Sequence, residues 1–262
     1  MADDQIIEMN FESMDFRRMT AEELYRYVKE RLPEKKRAYL FFDEIQRIDQ
    51  WQDAVNSFRV DFDCDIYVTG SNSKLMSSEI STYLTGRYVS IPVYTLSFKE
   101  YLDFKADSTL SRRELLEEYI RFGGFPIIAL SEYDEQSAYQ IVNGIYHTVV
   151  SRDIVKRHRI NKQDLFDRVV KYIIENMGKT FSANSISTFL KSEHRKVSVE
   201  SIYNYLRWLE QAFIIYPCER YDLQGKSILK TQEKYYLADV SLKYALLGYN
   251  RKMLDGAMEN IV

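Results

Sequence analysis

Apolar and polar positions follow one rhythm up to Ser97 and another after it. "IIEMNFES" (Ile6–Ser13) reads as a strand, and "TAEELYRYVKERLP" opens with the capping box of Thr20 and Glu23. It then places Leu24, Tyr27, Val28, Arg31 and Leu32 at helical spacing and stops at Pro33. "AYLFFD" is the next strand, "DQWQDAVNSFRV" a helix with Trp51, Val55 and Phe58 inward, and "CDIYVTGSNS" a third strand running into a small polar turn. A helix through Tyr83 leads to "LTGRYVSIPVY", a turn and then a strand. Alternating strand and helix predict a parallel sheet covered by helices.

Beyond Ser97 the spacing turns helical for about a hundred residues. "SFKEYLDF" carries a second capping box (Ser97, Glu100), and "SRRELLEEYIRFGG" ends on the glycine pair Gly123 and Gly124, a helix C-cap signal. "SEYDEQSAYQIVNGIYHTVVSRDIVKRHRI" reads as one long helix or as two joined near Gly144. "NKQDLFDRVVKYIIENMG", "SANSISTFLKS" and "SVESIYNYLRWLEQA" are three further helices, and "FIIYPCERYD" and "KTQEKYYLAD" are β-like. Three helices followed by a hairpin is the order of a winged helix. The divisions drawn from these patterns are 1–105 for an α/β core, 106–160 for a helical lid or linker, 161–235 for the winged helix, and 236–262 for the start of another domain.

Composition narrows the class little: 45% hydrophobic and 29% charged residues are ordinary for a folded globular chain. The N-terminus lacks the basic-then-apolar order of a signal peptide, and no apolar run reaches membrane-helix length. Cys64 and Cys218 are the only cysteines, so neither a disulfide framework nor a CxxC pair exists. A cytoplasmic location is expected. Charge is uneven: residues 1–151 hold 17 basic against 26 acidic residues, and 152–235 hold 16 against 10. The second region is therefore a candidate for an anionic partner.

The chemistry concentrates where "LFFDE" ends. An apolar strand that delivers Asp43 and Glu44 side by side suits a magnesium–nucleotide site: one carboxylate beside the metal, the other polarising the attacking water. Acids are also common wherever a strand reaches the surface, so this signal is weak alone. The following strand offers Thr69, Ser71 and Asn72 at its end, where a polar group can sense a γ-phosphate, although Gly, Ser and Asn also make ordinary turns. Arg87 in "LTGRY" is placed to meet a phosphate or act as an arginine finger. Three such positions at consecutive strand ends form a combination that chance rarely produces.

"LFFDEIQRIDQWQDAVNSF", "VTGSNSKLMSSEISTYLTGRYVSIPVYTLSFKEYL" and "GGFP" resemble a bacterial and archaeal group of AAA+-like P-loop ATPases. That group carries a C-terminal winged helix and a restriction-endonuclease-like domain. "VVSRDIVKRHRI" and "SVESIYNYLRWLEQAFIIYPCERYD" are similar to its C-terminal half, so the resemblance spans almost the whole chain. It implies that Asp43 and Glu44 are the Walker B pair, that Asp43 meets Mg through water, that the sensor lies among Thr69 to Asn72, and that Arg87 is the family arginine. It implies ATP and Mg as cofactors.

Two departures shape the expectation. No GxxxxGK[ST] stretch occurs, Gly70 being the first glycine, so backbone amides and a lysine for the phosphates are missing. The chain also stops at "GAMENIV", with Glu259 at the start of the nuclease-like domain. The chain is expected to be an incomplete α/β P-loop core with a helical region and winged helix, a fragment binding nucleotide weakly and hydrolysing none. Loss of the phosphate-loop strand is expected to leave "AYLFFD" at an unpaired sheet edge, prone to oligomer formation. An alternative is a DNA- or protein-binding winged-helix module with a vestigial ATPase core. Lys191, Arg195 and Lys196 before the recognition helix, with Lys226 and Lys230 in the wing, are the candidate DNA contacts; packing against a partner is the rival reading, and Glu200 and Glu210 weigh against DNA. His147, His158 and His194 lack metal spacing.

Overall fold

The strict alternation in "AYLFFD" decides how the first sheet is built. In the computed structural model, which describes residues 2–34, 36–70, 86–218, 233–249 and 254–261, strand β2 (Ala38–Asp43) buries Ala38, Leu40 and Phe42 and leaves Tyr39, Phe41 and Asp43 half-buried. It lies between β1 (Ile6–Asn10) and β3 (Cys64–Val68), parallel to both, in the order β1-β2-β3. Helices α1 (Ala21–Lys29) and α2 (Trp51–Asp61) bring Leu24, Val28, Trp51, Ala54, Val55 and Phe58 into one core with Leu40 and Phe42. Thr20 caps α1 by accepting from Glu23 N, and the Glu23 carboxylate accepts Thr20 N–H at 2.8 Å, as the capping-box reading predicts.

Two expectations are corrected here. "AYLFFD" is the central strand, paired on both sides; the outer strands are β1 and β3, because the helices supply crossovers that return each strand beside its predecessor in the right order. The run after Gly86 is not a paired strand among the described residues. Val89 is 87% exposed and Ile91 78% exposed, and an extended segment becomes a strand only where a neighbour takes its hydrogen bonds.

The chain forms two compact units, Met1–Ile91 and Pro92–Val262. In the second, α3 (Phe98–Phe104) and α4 (Arg112–Phe122) both open with serine capping boxes, Ser97 with Glu100 and Ser111 with Glu114. A short α5 (Pro126–Ala129) precedes α6 (Glu135–Val149), which runs unbroken through Gly144. Of the two readings, one long helix or two joined near Gly144, neither fits fully: the α-helix gives way at a π-helical turn, Val150–Val155, before α7 (Lys156–His158). One core then runs from Ile128 to Leu242. Its helices are α8 (Gln163–Glu175), α9 (Ala183–Ser192) and α10 (Val199–Gln211). Beside them β4 (Thr180–Phe181), β5 (Ile215–Cys218) and β6 (Glu233–Leu237) form an antiparallel sheet in the order β4-β6-β5. Helices α11 (Ser241–Leu247) and α12 (Leu254–Ile261) complete the unit. Asn260 exchanges hydrogen bonds with the backbone of Leu237, and Glu259 pairs with Lys234. Glu259 is thereby tied to β6.

The glycine pair has a tertiary reason. Gly124 N donates to Asp239 Oδ2 at 2.8 Å, and Gly124 O accepts Leu96 N–H at 2.8 Å. A Cβ on Gly123 meets Asp239 Oδ1 at 1.8 Å, and one on Gly124 meets Leu96 O at 2.2 Å. Asp239 is buried, and burial pushes its carboxyl up while hydrogen bonds from Ser241, Gly124 and Thr95 pull the other way.

Candidate functional site

Three parallel strands end together, and their last residues meet at one carboxylate. Asn10, the final residue of β1, lies in register with Asp43, the final residue of β2. Its Nδ2 donates to Asp43 Oδ2 at 2.8 Å, while its Oδ1 accepts Glu12 N–H at 2.7 Å, which fixes the amide orientation. Thr69, one residue past β3, donates its hydroxyl to Asp43 Oδ1. The Thr69 hydroxyl oxygen in turn accepts Glu44 N–H at 3.3 Å, and Thr69 N donates to Phe42 O at 2.9 Å. Asp43 is thus held at both carboxylate oxygens, by β1 on one side and the β3 terminus on the other, through charge-assisted bonds.

Glu44 leaves the strand in the left-handed region, φ 56° and ψ 40°. A non-glycine residue pays steric strain there, on the order of 1 kcal/mol. The turn is fixed by Ile45 N donating to Thr69 O at 3.3 Å and by burial of the Ile45 side chain. Gln46 Nε2 donates to Glu44 Oε2 at 2.5 Å, so the glutamate is oriented by its own turn. Gln46 Oε1 is buried without a hydrogen-bond partner among the described residues.

Of the residues expected at this site, Asp43, Glu44 and Thr69 come together. Ser71 and Asn72 lie outside the described residues. Arg87 is exposed just past Gly86. Asn10 and Gln46 were not foreseen. Asn10 was legible as a polar residue ending an apolar strand, but its pairing with Asp43 needs the strand register.

The donors are hard oxygens, which suit magnesium. No group of three or more His, Cys, Asp or Glu side chains capable of holding a metal occurs among the described residues. Magnesium does not require one, since it takes one or two carboxylates and fills its remaining positions with water and phosphate oxygens. The site therefore fits the metal half of a magnesium–nucleotide; the sequence contains no GxxxxGK[ST] stretch for the phosphate half.

In the second unit, Lys191 is exposed in the last turn of α9 and Lys196 in the turn before α10. Arg195 Nη1 lies 2.5 Å from Asp164 Oδ2, and Arg168 Nη1 lies 3.4 Å from Glu193 Oε2. The Arg195 guanidinium pulls the Asp164 carboxyl below its ordinary range. Lys226 and Lys230 lie outside the described residues. His158 stacks on Trp208, ring centroids 4.1 Å apart and planes 9° from parallel. Burial, then the charges of Arg157 and Arg207, lower the imidazole from its ordinary 6.5. The fold therefore favours the neutral ring: its contribution is complete above pH 6.5 and is lost as pH falls through the lowered value. Trp208 fluorescence is expected to change on acidification with a midpoint below 6.5, and His158→Gln to abolish that step. A midpoint at or above 6.5 contradicts the stack.

The comparisons with known proteins agree with this architecture. Residues 1–102 match an AAA domain, and residues 113–252 match a domain of unknown function, DUF8612. The second match covers more than half of the chain, and the chain belongs to that DUF8612 family. An uncharacterized protein of Haemophilus influenzae is 36% identical over 266 residues, covering 100% of this chain and 66% of that protein. An uncharacterized protein of Methanocaldococcus jannaschii is 35% identical over 270 residues, covering 99% of this chain and 59% of that protein. The chain thus spans about three-fifths to two-thirds of these relatives. A Walker-type ATPase of Pyrococcus abyssi shares the fold, with TM-score 0.56, 16% identity, and coverage of 92% of this chain and 72% of that one. The first unit has an α/β fold, and residues 1–102 are similar to an AAA domain. No helix among the described residues is long and apolar enough to cross a membrane.

Proposed function

We propose that Asp43 and Glu44 are the metal-side and general-base carboxylates of an ATP-hydrolysing site. The observation that carries this reading is the Asp43 carboxylate fixed between Asn10 Nδ2 and the Thr69 hydroxyl where three parallel strands end. The carboxyl end of a parallel sheet is where α/β folds take their ligands. A bound magnesium ion neutralises phosphate charge and aligns the nucleotide. Asp43 would hold the metal, with Asn10 and Thr69 keeping its two oxygens from rotating away. Glu44, oriented by Gln46, accepts a proton from the attacking water. Thr69 reports the state of the phosphate through its contacts with both Asp43 and the Glu44 amide; Ser71, Asn72 and Arg87 extend the same set. We assign the triphosphate cradle to a segment or partner outside these 262 residues, since they hold no phosphate loop. Helices α8 to α10 with the β4-β6-β5 sheet are read as a winged helix.

The test is magnesium-dependent ATP binding by calorimetry, with a GxxxxGK[ST] segment joined ahead of the chain. Asp43→Ala is expected to weaken binding about tenfold or more in magnesium and to have little effect in EDTA, because removing one metal contact acts only when the metal is there. Equal loss in both conditions contradicts the metal role. Asn10→Ala is expected to fall between wild type and Asp43→Ala.

A further inference from the structure

The exposed cations of the second unit are not gathered where the turn before α10 suggested. Arg195 is committed to Asp164 there, and Glu193 is joined to Arg168. A different set converges where the end of α7 meets α10. Lys156, Arg157 and Arg159 are exposed at that end, and Arg207 is exposed on α10. The stack of His158 on Trp208 locks the two elements together, at 4.1 Å between ring centroids. Arg207 Nη2 donates to Asn204 Oδ1 at 2.7 Å, which holds the guanidinium out along the helix face. Among the described residues, Lys156, Arg159 and Arg207 have no carboxylate within ion-pair distance.

We propose that Lys156, Arg157, Arg159 and Arg207, gathered beside the His158–Trp208 stack, form a face that binds the phosphate backbone of duplex nucleic acid. Charge complementarity is the first argument: four cations come from two elements, within the region that carries 16 basic against 10 acidic residues. The second is independent of counting. The His158 imidazole feels positive charge from both Arg157 on its own helix and Arg207 on α10, so the two sources act on one locus. The third concerns the mode of contact. One face of Trp208 is already covered by His158, so the indole serves to brace the cations, and recognition runs through phosphates with little base preference. Two acids border the face. Glu200 sits at the start of α10, and Glu210 lies one turn beyond Arg207, its carboxyl pushed up by burial and by Glu233.

The experiment is fluorescence anisotropy of a 20-base-pair labelled duplex with the 262-residue chain, titrated across salt concentrations without nucleotide. Its outcome is therefore independent of the ATP reading. Wild type is expected to bind at low salt with an affinity that falls steeply as salt rises. Arg159→Asn/Arg207→Ala is expected to lower the magnitude of the salt slope by about 1.8, two contacts at roughly 0.9 each. Asparagine is chosen at position 159 because that residue has φ 51°, which asparagine tolerates. Lys191→Ala/Lys196→Ala is expected to leave the slope within about half a contact of wild type. Unchanged Trp208 fluorescence in each variant checks that the fold is retained, and Arg159→Lys/Arg207→Lys is expected to keep the slope. No binding at low salt, an unchanged slope in the first double variant, a larger loss in the lysine pair, or equal displacement by polyglutamate each overturns the proposal.

Discussion

Replacing Gly123 by alanine is expected to destabilise the unit Pro92–Val262 by about 4 kcal/mol. Gly123 has φ 74° and ψ −164°, a region that essentially only glycine occupies, so alanine is strained there regardless of space. Space is also absent, because the new Cβ falls 1.8 Å from Asp239 Oδ1. Moving Asp239 aside breaks its bonds to Gly124 N and to Ser241, and leaves buried polar groups without partners. Gly144→Ala is the control. It lies inside α6 with nothing within 4 Å of an added Cβ, and alanine there is expected to stabilise by about 0.5–1 kcal/mol. Urea unfolding followed by circular dichroism reads both. Shifts of similar size and the same sign refute the account.

The second large effect concerns catalysis. In the protein supplied with a phosphate-loop segment, Glu44→Gln is expected to lower kcat for phosphate release by about a hundredfold or more while leaving KM within about twofold. Glutamine keeps the shape and the contact with Gln46 but cannot take the proton of the attacking water. Gln46→Ala is expected to lower kcat by a smaller factor, since it frees Glu44 to rotate without removing the base. Phosphate release by Glu44→Gln at the wild-type rate removes Glu44 from the mechanism.

Much of this protein was legible in its residues. The capping boxes at Thr20 and Ser97 each start a helix, because a hydroxyl and a carboxylate three residues apart satisfy local backbone donors wherever the chain goes next. The alternation in "AYLFFD" set its buried face, and adjacent acids at its end marked the candidate site. Those signals are local. The central position of β2, the clamp of Asn10 on Asp43 over 33 residues of sequence, and the meeting of Gly123 with Asp239 depend on contacts that no local pattern encodes. The charge of the region 152–235 could be counted, but not its arrangement. Arg195 is claimed by Asp164 and the cations of α7 are brought to Arg207 only when His158 packs on Trp208. Spacing along the chain determined which residues can form a helix or strand; packing decided which of their polar groups meet.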